Sequence, residues 1–372
     1  MKLLILSSAP FIFKDNKCYA YSPYVKELVI WEKYADEIAF CCPVWKKENG
    51  LLIDEIPFKF SRHYKLIDFN LNTFSNIIKS VFCSILNTLI IFKAMYHADH
   101  IHLRCPGNIG LLGSFVQVFF PNKIKSAKYA GNWDPKSKQP WTYKLQKKIL
   151  SNTFFTKNIK ILVYGDWENQ SKNVKPFFTA TYSESEKETV EKTTIDSGIE
   201  FIFVGSLVEG KNPVYAIKLV QKLIERGKNA VLNLYGNGGE KASLEKYIKE
   251  NKLENFVFLH GNQNYETLKS AYKKSHFVIL PSKSEGWPKA IAEGMFWGCI
   301  PIATKVSCIP FMLDFGNRGI LLEMNIEEDI SRILNIAEQQ NSFDIKSNLS
   351  AQWSQKYTTD LFESEIEKIL KP

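Results

Sequence analysis

The sequence predicts an α/β protein built from two doubly wound domains, each around a parallel sheet. Three observations support this fold class. The chain has 372 residues, which is enough for two domains of ordinary size. From about residue 200, apolar runs of strand length alternate with helical patterns, as in βαβ units. The first half alternates in the same style, although less regularly.

The candidate elements follow in chain order. In the first half, we expect strands at MKLLILSS, EIAFCCP, HIHLRCP and IKSAKYAG, and helices near residues 22–34, 74–96 and 108–118. In the second half, the order is FIFVG, PVYAIKLVQKLIERG, AVLNLYG, KASLEKYIKEN, FVFLHG, NYETLKSAYKKS, HFVILP, a helix opened by SEGWPKAIAE, and IPIAT. Ligands of such sheets bind at the carboxyl ends of the strands, so we expect a crevice between the two domains there.

A polar run, SESEKETVEKTTIDSG at residues 183–198, predicts the domain boundary. We therefore assign residues 1–195 to an N-terminal domain and residues 196–355 to a C-terminal domain. Residues 356–372 form a last helical pattern with no strand after it.

Composition excludes several classes of protein. With 45% hydrophobic and 23% charged residues, the chain is neither disordered nor fibrous. Its seven cysteines show no zinc-like spacing, which indicates buried thiols in a reducing compartment. MKLLILSSAP reads as a first buried strand and not as a signal peptide. The apolar run at residues 77–92 is interrupted by polar residues and is too short to span a bilayer, which favours a core helix.

The net charge of +9 is unevenly distributed. Residues 1–195 contain 27 basic and 17 acidic residues, a net of +10, whereas the rest contains 21 and 22. This asymmetry indicates an anionic partner for the first half, which is a lipid surface, a diphosphate-linked acceptor or nucleic acid; a plain basic surface is the alternative. The sequence contains no zinc finger, RNA-recognition signature or Arg-rich arm, so we expect no nucleic-acid partner.

The stretch SEGWPKAIAE combines two acids with a helix start. Pro288 suits the first position of a helix, because its missing N–H would have no partner there. The free N–H groups and the dipole of that helix make an anion site suited to phosphate. Glu285 and Glu293 lie on either side of this site, where carboxylates can accept hydrogen bonds from vicinal diols. The alternative is one acid serving the helix dipole and another on a solvated flank.

A second motif, FVGSLVEGKNP, places Gly205 at a strand end and Lys211 in the following loop. Glycine lets a backbone approach a ligand, and lysine supplies a mobile positive charge for phosphate oxygens.

Together, FVGSLVEGKNP, LYGNGGE, FVFLHGN and VILPSKSEGWPKAIAEGMFWGCIPIAT resemble the donor domain of glycosyltransferase family 4, within glycosyl transferases group 1. The similarity covers residues 201 to about 323, roughly a third of the chain. Members of that family are retaining enzymes of the GT-B fold that use nucleotide-diphosphate sugars. The resemblance therefore implies that fold and a nucleotide-sugar donor, with the donor bound by the C-terminal domain and the acceptor by the N-terminal domain.

The resemblance also assigns residue roles. Glu285 is implied as the catalytic residue that holds the donor sugar, and Glu293 as the ligand of the ribose hydroxyls. The base is expected beside His260, Gly261 and Asn262. The resemblance also implies Lys211 at the diphosphate. Because they lie in the same loop or at the helix N-terminus, we expect further diphosphate contacts from Gly205, Ser206, Gly286, Trp287, Lys289 and Ala290. The terminal helix is expected to cross back to the first domain.

This sequence departs from the family at four places. Ser206 stands where the family usually has Arg, and SSAPFIFKDNK replaces a Gly-Gly pair after the first strand. YAGNWDP stands where many members carry a His. Ser307 to Phe311 replace a Gly-Gly-x-Pro-Glu pattern. The resemblance is therefore stronger for the donor domain than for the acceptor domain.

Candidate acceptor-side residues come from two segments of the first half. HIHLRCPGNIG places His102 and Arg104 at a strand end, where they could contact phosphate; a core position is the alternative for His102. In YAGNWDP, the residues Asn132, Trp133 and Asp134 could line a sugar site, with the indole stacked on the sugar ring, or form a plain turn.

Other chemistries find little support. YGNGGE lacks the GxGxxG spacing of nicotinamide and flavin folds. The chain has no D-x-D motif, and His63, His97, His260 and His276 form no ligand-spaced cluster, so we expect no metal and no cofactor beyond the co-substrate.

The sequence therefore predicts a retaining glycosyltransferase (a hexosyltransferase) that uses a UDP- or GDP-linked sugar and a sugar or lipid-linked acceptor. Cell-surface polysaccharide or lipid-linked oligosaccharide synthesis is the expected setting. We expect a cytoplasmic location, with peripheral contact of the basic first domain to the inner face of an anionic membrane. An epimerase or hydrolase on the same fold, and a non-catalytic sugar-nucleotide binder, are the alternatives.

Overall fold

A computed structural model of the chain describes residues 1–50, 52–68, 74–189 and 191–371, with side chains except at 74–79 and 196. The chain divides into two compact units, residues 1–177 with 363–372 and residues 178–362. The sequence predicts the boundary at residue 195. In the structure the boundary lies earlier, and residues 178–195 group with the second unit.

The first unit alternates strands and helices, with an extra hairpin near its start. Its strands and helices are β1 Lys2–Leu6, β2 Phe11–Lys14, β3 Lys17–Tyr21, α1 Ser22–Glu32, β4 Glu37–Trp45, β5 Ile53–Glu55, β6 Arg62–Leu66, α2 Phe74–Tyr96, β7 His100–Cys105, α3 Asn108–Val116, β8 Ile124–Tyr129, α4 Trp141–Ser151, β9 Ile159–Tyr164 and β10 Val174–Phe177. A 3₁₀ turn, Gln117–Phe119, continues α3.

The sheet of the first unit runs in the order β10-β9-β8-β7-β1-β4-β2-β3-β5, with β6 paired to β4. All pairs are parallel except β2 with β3 and β3 with β5. Residues 3–6 of the central strand β1 are all buried, as expected for a parallel strand covered on both faces. The extra hairpin, formed by β2 and β3, extends one edge of this sheet. Its strands are short and carry lysines, so the sequence shows no clear apolar run for them.

The second unit is a regular doubly wound domain. Its strands and helices are β11 Ile199–Val204, α5 Pro213–Glu225, β12 Ala230–Tyr235, α6 Lys241–Glu250, β13 Val257–Gly261, α7 Tyr265–Lys274, β14 Phe277–Leu280, α8 Lys289–Phe296, β15 Ile300–Thr304, α9 Ile309–Met312, β16 Ile320–Leu322, α10 Ile326–Ala337, α11 Gln340–Ser354 and α12 Thr359–Leu370. The end of α12, from residue 363, groups with the first unit.

The second sheet is fully parallel, in the order β13-β12-β11-β14-β15-β16. Chain order reverses between β11 and β14, which pair through Phe201 and Phe277. The loops that follow these two strands therefore meet at the carboxyl edge of the sheet, at the switch point where doubly wound domains bind ligands.

The α/β class with parallel sheets is confirmed, and the second half contains every strand and helix that its sequence predicted. Helix α2 has the predicted bounds of residues 74–96. The predicted first residue of α8 is wrong by one position, because Pro288 is its N-cap and Lys289 its first helical residue. None of the helices in the described part of the chain combines the length and the hydropathy that a bilayer span requires.

Candidate nucleotide-sugar site

The loop after β11 lies directly against the loop after β12. The Gly205 N–H donates to the Tyr235 carbonyl at 2.9 Å, and the Leu207 N–H donates to the Asn237 carbonyl at 3.0 Å. A Cβ on Gly236 would lie 1.9 Å from the Gly205 carbonyl oxygen, and Gly236 has a φ of 143°. This close approach therefore requires glycine, and YGNGGE serves backbone packing in this fold.

The loop after β14 is joined to the loop after β11. The Lys283 N–H donates to the Gly210 carbonyl at 2.8 Å. One residue further along the first loop, the Lys211 Nζ donates to Glu285 Oε1 at 2.6 Å. The Glu285 side chain is only 6% exposed and that of Lys211 is 29% exposed. A cation and a largely buried carboxylate are thus in contact at the carboxyl edge of the sheet.

The loop that carries Glu285 is anchored by the last residue of β15 and by residues of the loop that follows it. The Ser307 hydroxyl donates to the Gly286 carbonyl at 3.0 Å, and the Cys308 thiol lies 3.4 Å from the same oxygen. The Thr304 hydroxyl donates to the Ser282 carbonyl at 2.5 Å. Burial raises the pKa of the Cys308 thiol to about 12, so it stays protonated as a donor. The departure from the family pattern at 307 and 308 therefore supplies side chains that hold the Glu285 loop.

Helix α8 begins immediately after this loop. Its N-cap residue, Pro288, provides no side-chain hydrogen bond to the helix start. Trp287 is buried, with its ring 6.2 Å from Trp353 and 5.8 Å from Tyr357. This packing fixes the direction in which the uncapped N–H groups of the first turn point. A helix N-terminus of this kind favours an anion.

Glu293 lies further along α8, and its carboxylate already has partners. The Thr181 hydroxyl donates to Oε1 at 2.7 Å, and the Tyr272 hydroxyl donates to Oε2 at 3.1 Å. The Lys289 ammonium lies 3.8 Å from Oε1. Burial raises the pKa of Tyr272, so its hydroxyl remains a donor. A carboxylate has about four acceptor positions, so these contacts orient Glu293 and leave capacity for a diol.

His260 lies at the end of β13, beside the end of β12. Its ring stacks on Tyr235 with a centroid distance of 4.6 Å, and its Nε2 is 2.8 Å from Asn233 Oδ1. Burial lowers the pKa of His260, which favours the neutral imidazole. The Gly261 carbonyl accepts from the Gly236 N–H at 2.8 Å, so this segment joins the loops already described.

The donor-side residues predicted from the sequence thus gather on one edge of the second unit. Lys211 and Glu285 are in contact, and Glu293 follows on α8. Their roles toward sugar, diphosphate and ribose stay predictions, as do those of the other residues around them. Lys289 faces Glu293 within the helix, and this pairing was not foreseen.

In the first unit, Arg104 belongs to a charge cluster that the sequence did not reveal. Its guanidinium donates to Glu27 Oε2 at 2.6 Å, and Lys128 forms an ion pair with the other oxygen. Burial by itself would raise the pKa of Glu27, but the charges of Lys128 and Arg104 lower it to about 2. The arginine also lies 4.1 Å above the Tyr24 ring. One carboxylate is shared by two cations, so the cluster keeps an excess positive charge.

His102 is a core residue, and an acceptor contact through its ring is a prediction that the structure contradicts. The side chain is 1% exposed, its ring centroid is 4.0 Å from that of Trp31, and its Nδ1 is 2.8 Å from Ser126 Oγ. The same hydroxyl is 2.8 Å from His100 Nε2. Burial lowers the pKa of His102 well below its ordinary value, so the ring is neutral.

The predicted sugar-stacking role of Trp133 is also wrong. The indole is 2% exposed, packs edge-on against Tyr129 at 4.8 Å and donates through Nε1 to Gln170 at 2.9 Å, so no face remains for a sugar. Asn132 and Asp134 form a turn, in which the Asp134 N–H donates to Asn132 Oδ1 at 2.8 Å. The plain-turn interpretation describes this segment better.

Sequence comparison finds a family match within the second unit. Residues 185–356 match the model of glycosyl transferases group 1. An uncharacterized glycosyltransferase of Methanocaldococcus jannaschii is 27% identical over 173 residues, which are 45% of this chain and 46% of that protein. The poly(glycerol-phosphate) alpha-glucosyltransferase of Bacillus subtilis is 24% identical over 160 residues, 42% of this chain and 23% of that protein. The chain therefore spans less than half the length of these relatives.

Solved structures extend the likeness to the whole chain at the level of fold. HepE of Anabaena, solved in complex with UDP, has a TM-score of 0.67 with 13% identity, over 99% of this chain and 98% of that one. TarM of S. aureus, solved as a mutant with fondaparinux, alpha-GlcNAc-glycerol and UDP, has a TM-score of 0.57 with 17% identity, over 77% and 59%. These neighbours show that the fold is that of GT-B glycosyltransferases.

Proposed function

We propose that this protein is a retaining glycosyltransferase that moves a sugar from a UDP- or GDP-linked donor to an acceptor hydroxyl. The observation that carries the proposal is the contact between Lys211 and Glu285 at the carboxyl edge of the second sheet. A diphosphate needs a cation, and the sugar joined to it needs an acceptor of hydroxyl hydrogen bonds. Because Lys211 and Glu285 are in contact, one could bind the diphosphate and the other the sugar of the same donor molecule. The group 1 family match over residues 185–356 supports this assignment.

The proposed chemistry is mostly positioning and electrostatics. Lys211 and the N-terminus of α8 neutralise the diphosphate as it leaves, which is a preorganised effect in a partly buried site. Glu285 holds the sugar hydroxyls. The bond between the anomeric carbon and the diphosphate oxygen breaks, and the acceptor oxygen bonds to that carbon on the same face. The acceptor proton passes to the departing diphosphate oxygen, so no enzyme nucleophile is needed.

Other observations support proposals for the donor, the acceptor and the cellular location of the reaction. Two structural neighbours hold UDP, which supports a nucleotide donor for this chain. The net charge of +10 in residues 1–195 supports an anionic, lipid-linked acceptor at the inner face of a membrane, as in cell-surface polysaccharide or lipid-linked oligosaccharide synthesis. We propose that the enzyme works without a metal, because Lys211 and backbone N–H groups take the place of a divalent ion.

The proposal is tested by a ligand screen followed by product analysis. Thermal unfolding is recorded with UDP-glucose, UDP-N-acetylglucosamine and GDP-mannose, since a ligand at 100 times its Kd adds about 2.7 kcal/mol of stability. The donor that stabilises the protein is then incubated with and without sugar and lipid acceptors. Transfer that depends on an acceptor, with the anomeric configuration kept, supports the proposal. An altered or hydrolysed donor without acceptor indicates an epimerase or hydrolase, and binding without any turnover indicates a binding protein.

A further inference from the structure

Helix α2 of the first unit is apolar on both of its faces. Towards the sheet it buries residues at helical spacing, among them Cys83, Ile91 and Met95. On its opposite face, large apolar side chains are exposed: Val81, Phe82, Ile85, Leu89, Phe92 and Tyr96. A helix on the surface of a water-soluble protein normally carries polar residues on its outer face. The exposed apolar side chains of α2 therefore indicate a binding surface for an apolar partner.

The apolar surface continues across α3 and α4. A groove of about 440 Å³ lies between α2, α3 and the start of α4, where Trp141 is 69% exposed. A second groove of about 420 Å³ lies between the end of α3 and α4 and is lined by Phe119, which is 71% exposed. The Phe92 ring is 6.3 Å from that of Phe119 and links α2 to this second groove. We call this three-helix surface, with the neighbouring Phe154 and Phe155, the apolar face.

Among the described side chains of helices α2, α3 and α4, every charged residue is a lysine. Helices α2, α3 and α4 contain no acidic residue. Exposed lysines lie on α2 and α4 and just after α4: Lys93, Lys144, Lys148 and Lys157. Between residues 80 and 160, the acidic residues are Asp99 and Asp134 alone. Apolar and aromatic side chains mixed with lysines are the composition that binds at the interface of an anionic bilayer.

We infer that the apolar face docks this protein on the surface of an anionic lipid membrane. It lies in the interface and does not insert as a span, because α2 is held on the sheet by Ile91, Ala94 and Met95. A second copy of the chain fits less well, since a two-fold interface would set lysines against lysines. This inference rests on the membrane association proposed above and identifies the surface that makes the contact. It does not depend on the proposed sugar transfer.

The test uses the full chain and vesicles without any nucleotide sugar. Co-sedimentation is measured with phosphatidylcholine vesicles and with vesicles that also contain phosphatidylglycerol, at low and at physiological salt. We expect binding to the anionic vesicles only, weakened by salt because the lysine contribution is screened. Equal recovery with the neutral vesicles would overturn the inference.

Two surface variants and two matched controls locate the contact. Lys144→Glu with Lys148→Glu should weaken the partition coefficient at least about 30-fold, from the usual contribution of basic residues near an anionic leaflet. Phe82→Ser with Phe119→Ser should also weaken it at least tenfold, on the order expected for two lost apolar anchors. The controls make the same kinds of change on exposed helices of the second unit: Lys246→Glu with Lys249→Glu, and Ile345→Ser with Leu349→Ser. They should bind like the wild type.

Other results would contradict the inference in recognisable ways. If Lys246→Glu with Lys249→Glu weakens binding as much as Lys144→Glu with Lys148→Glu, net charge acts without this face. If the protein forms a dimer that Phe82→Ser with Phe119→Ser dissociates, the face is an interface between copies. All variants change exposed side chains, and unchanged thermal unfolding checks that they fold. Vesicle binding is read without substrate, so failed docking and failed sugar transfer are separate outcomes.

Discussion

The pair formed by Lys211 and Glu285 allows a sharp test, because replacing Lys211 should weaken nucleotide binding, whereas replacing Glu285 should mainly lower turnover. The 2.6 Å contact joins a charged donor to a carboxylate that is 6% exposed. A hydrogen bond to a charged group contributes about 1.5–3 kcal/mol. Replacing Lys211 with Met removes the cation proposed for the diphosphate and leaves a carboxylate near that anion. We expect the affinity for free UDP or GDP to fall about 10- to 150-fold.

Glu285→Gln keeps the shape of the side chain but removes its charge. Without a ligand, Glu285 holds the Lys211 ammonium, so it competes with a diphosphate for that cation. The variant should therefore bind free UDP or GDP as tightly as the wild type, or more tightly. Its turnover should fall by about 10²-fold or more, if the charge acts mainly in the transition state.

Calorimetric binding of the nucleoside diphosphate and initial rates of transfer are measured for both variants and the double variant. The matched control is the exposed pair Lys283 and Glu209, which joins the same two loops. Lys283→Met and Glu209→Gln should change neither quantity. If Lys211→Met and Glu285→Gln weaken binding equally, the pair is only a structural salt bridge. Near-normal turnover of Glu285→Gln would show that the sugar role is wrong.

Further predictions concern the ribose, pH and metals. Glu293→Ala should weaken calorimetric binding of free nucleoside diphosphate by roughly tenfold, from the loss of a charged hydrogen bond; unchanged affinity would remove the ribose role. Burial lowers the pKa of His100 to about 4 and that of His102 well below 6.5. The unfolded chain binds protons first, so the free energy of unfolding in urea should fall as the pH drops from about 6.5 to about 4. A flat profile would contradict this burial. Transfer should survive EDTA, and a loss restored by magnesium would overturn the metal-free mechanism.

The regular part of the fold could be read from the sequence because its signals are local. Each strand of the second sheet up to β15 is a short apolar run, and α2 is a long helical pattern. Helix α11 is not predicted by its sequence, because half of the positions that it buries are serines. Ser347, Ser350 and Ser354 donate to the carbonyls of Gly298, Arg318 and Ala292 at 2.6–2.7 Å. Such contacts leave no apolar periodicity to find.

The contacts of the candidate residues also differ in whether the sequence could predict them. Lys211 and Glu285 could be placed together because neighbouring strands of a parallel sheet bring their following loops to one edge. The cluster in the first unit could not, since it joins Glu27 of α1 to Arg104 and Lys128 on two strands. Those partners are 77 and 101 residues away in sequence, and no local pattern reports such a pairing.

The net charge of the first half overstates what a membrane would meet, because some lysines serve the interior. The Lys125 ammonium donates to the carbonyls of Gln117 and Phe120 at 3.2 and 2.8 Å, and burial lowers its pKa to about 8. Placement, more than total charge, should therefore decide docking. We expect Lys125→Met to bind anionic vesicles within about twofold of the wild type, because membrane attraction falls off within a Debye length and this ammonium is enclosed. Co-sedimentation below the variant's unfolding temperature measures it. A loss as large as that of Lys144→Glu with Lys148→Glu would mean that total charge, and not the apolar face, controls binding.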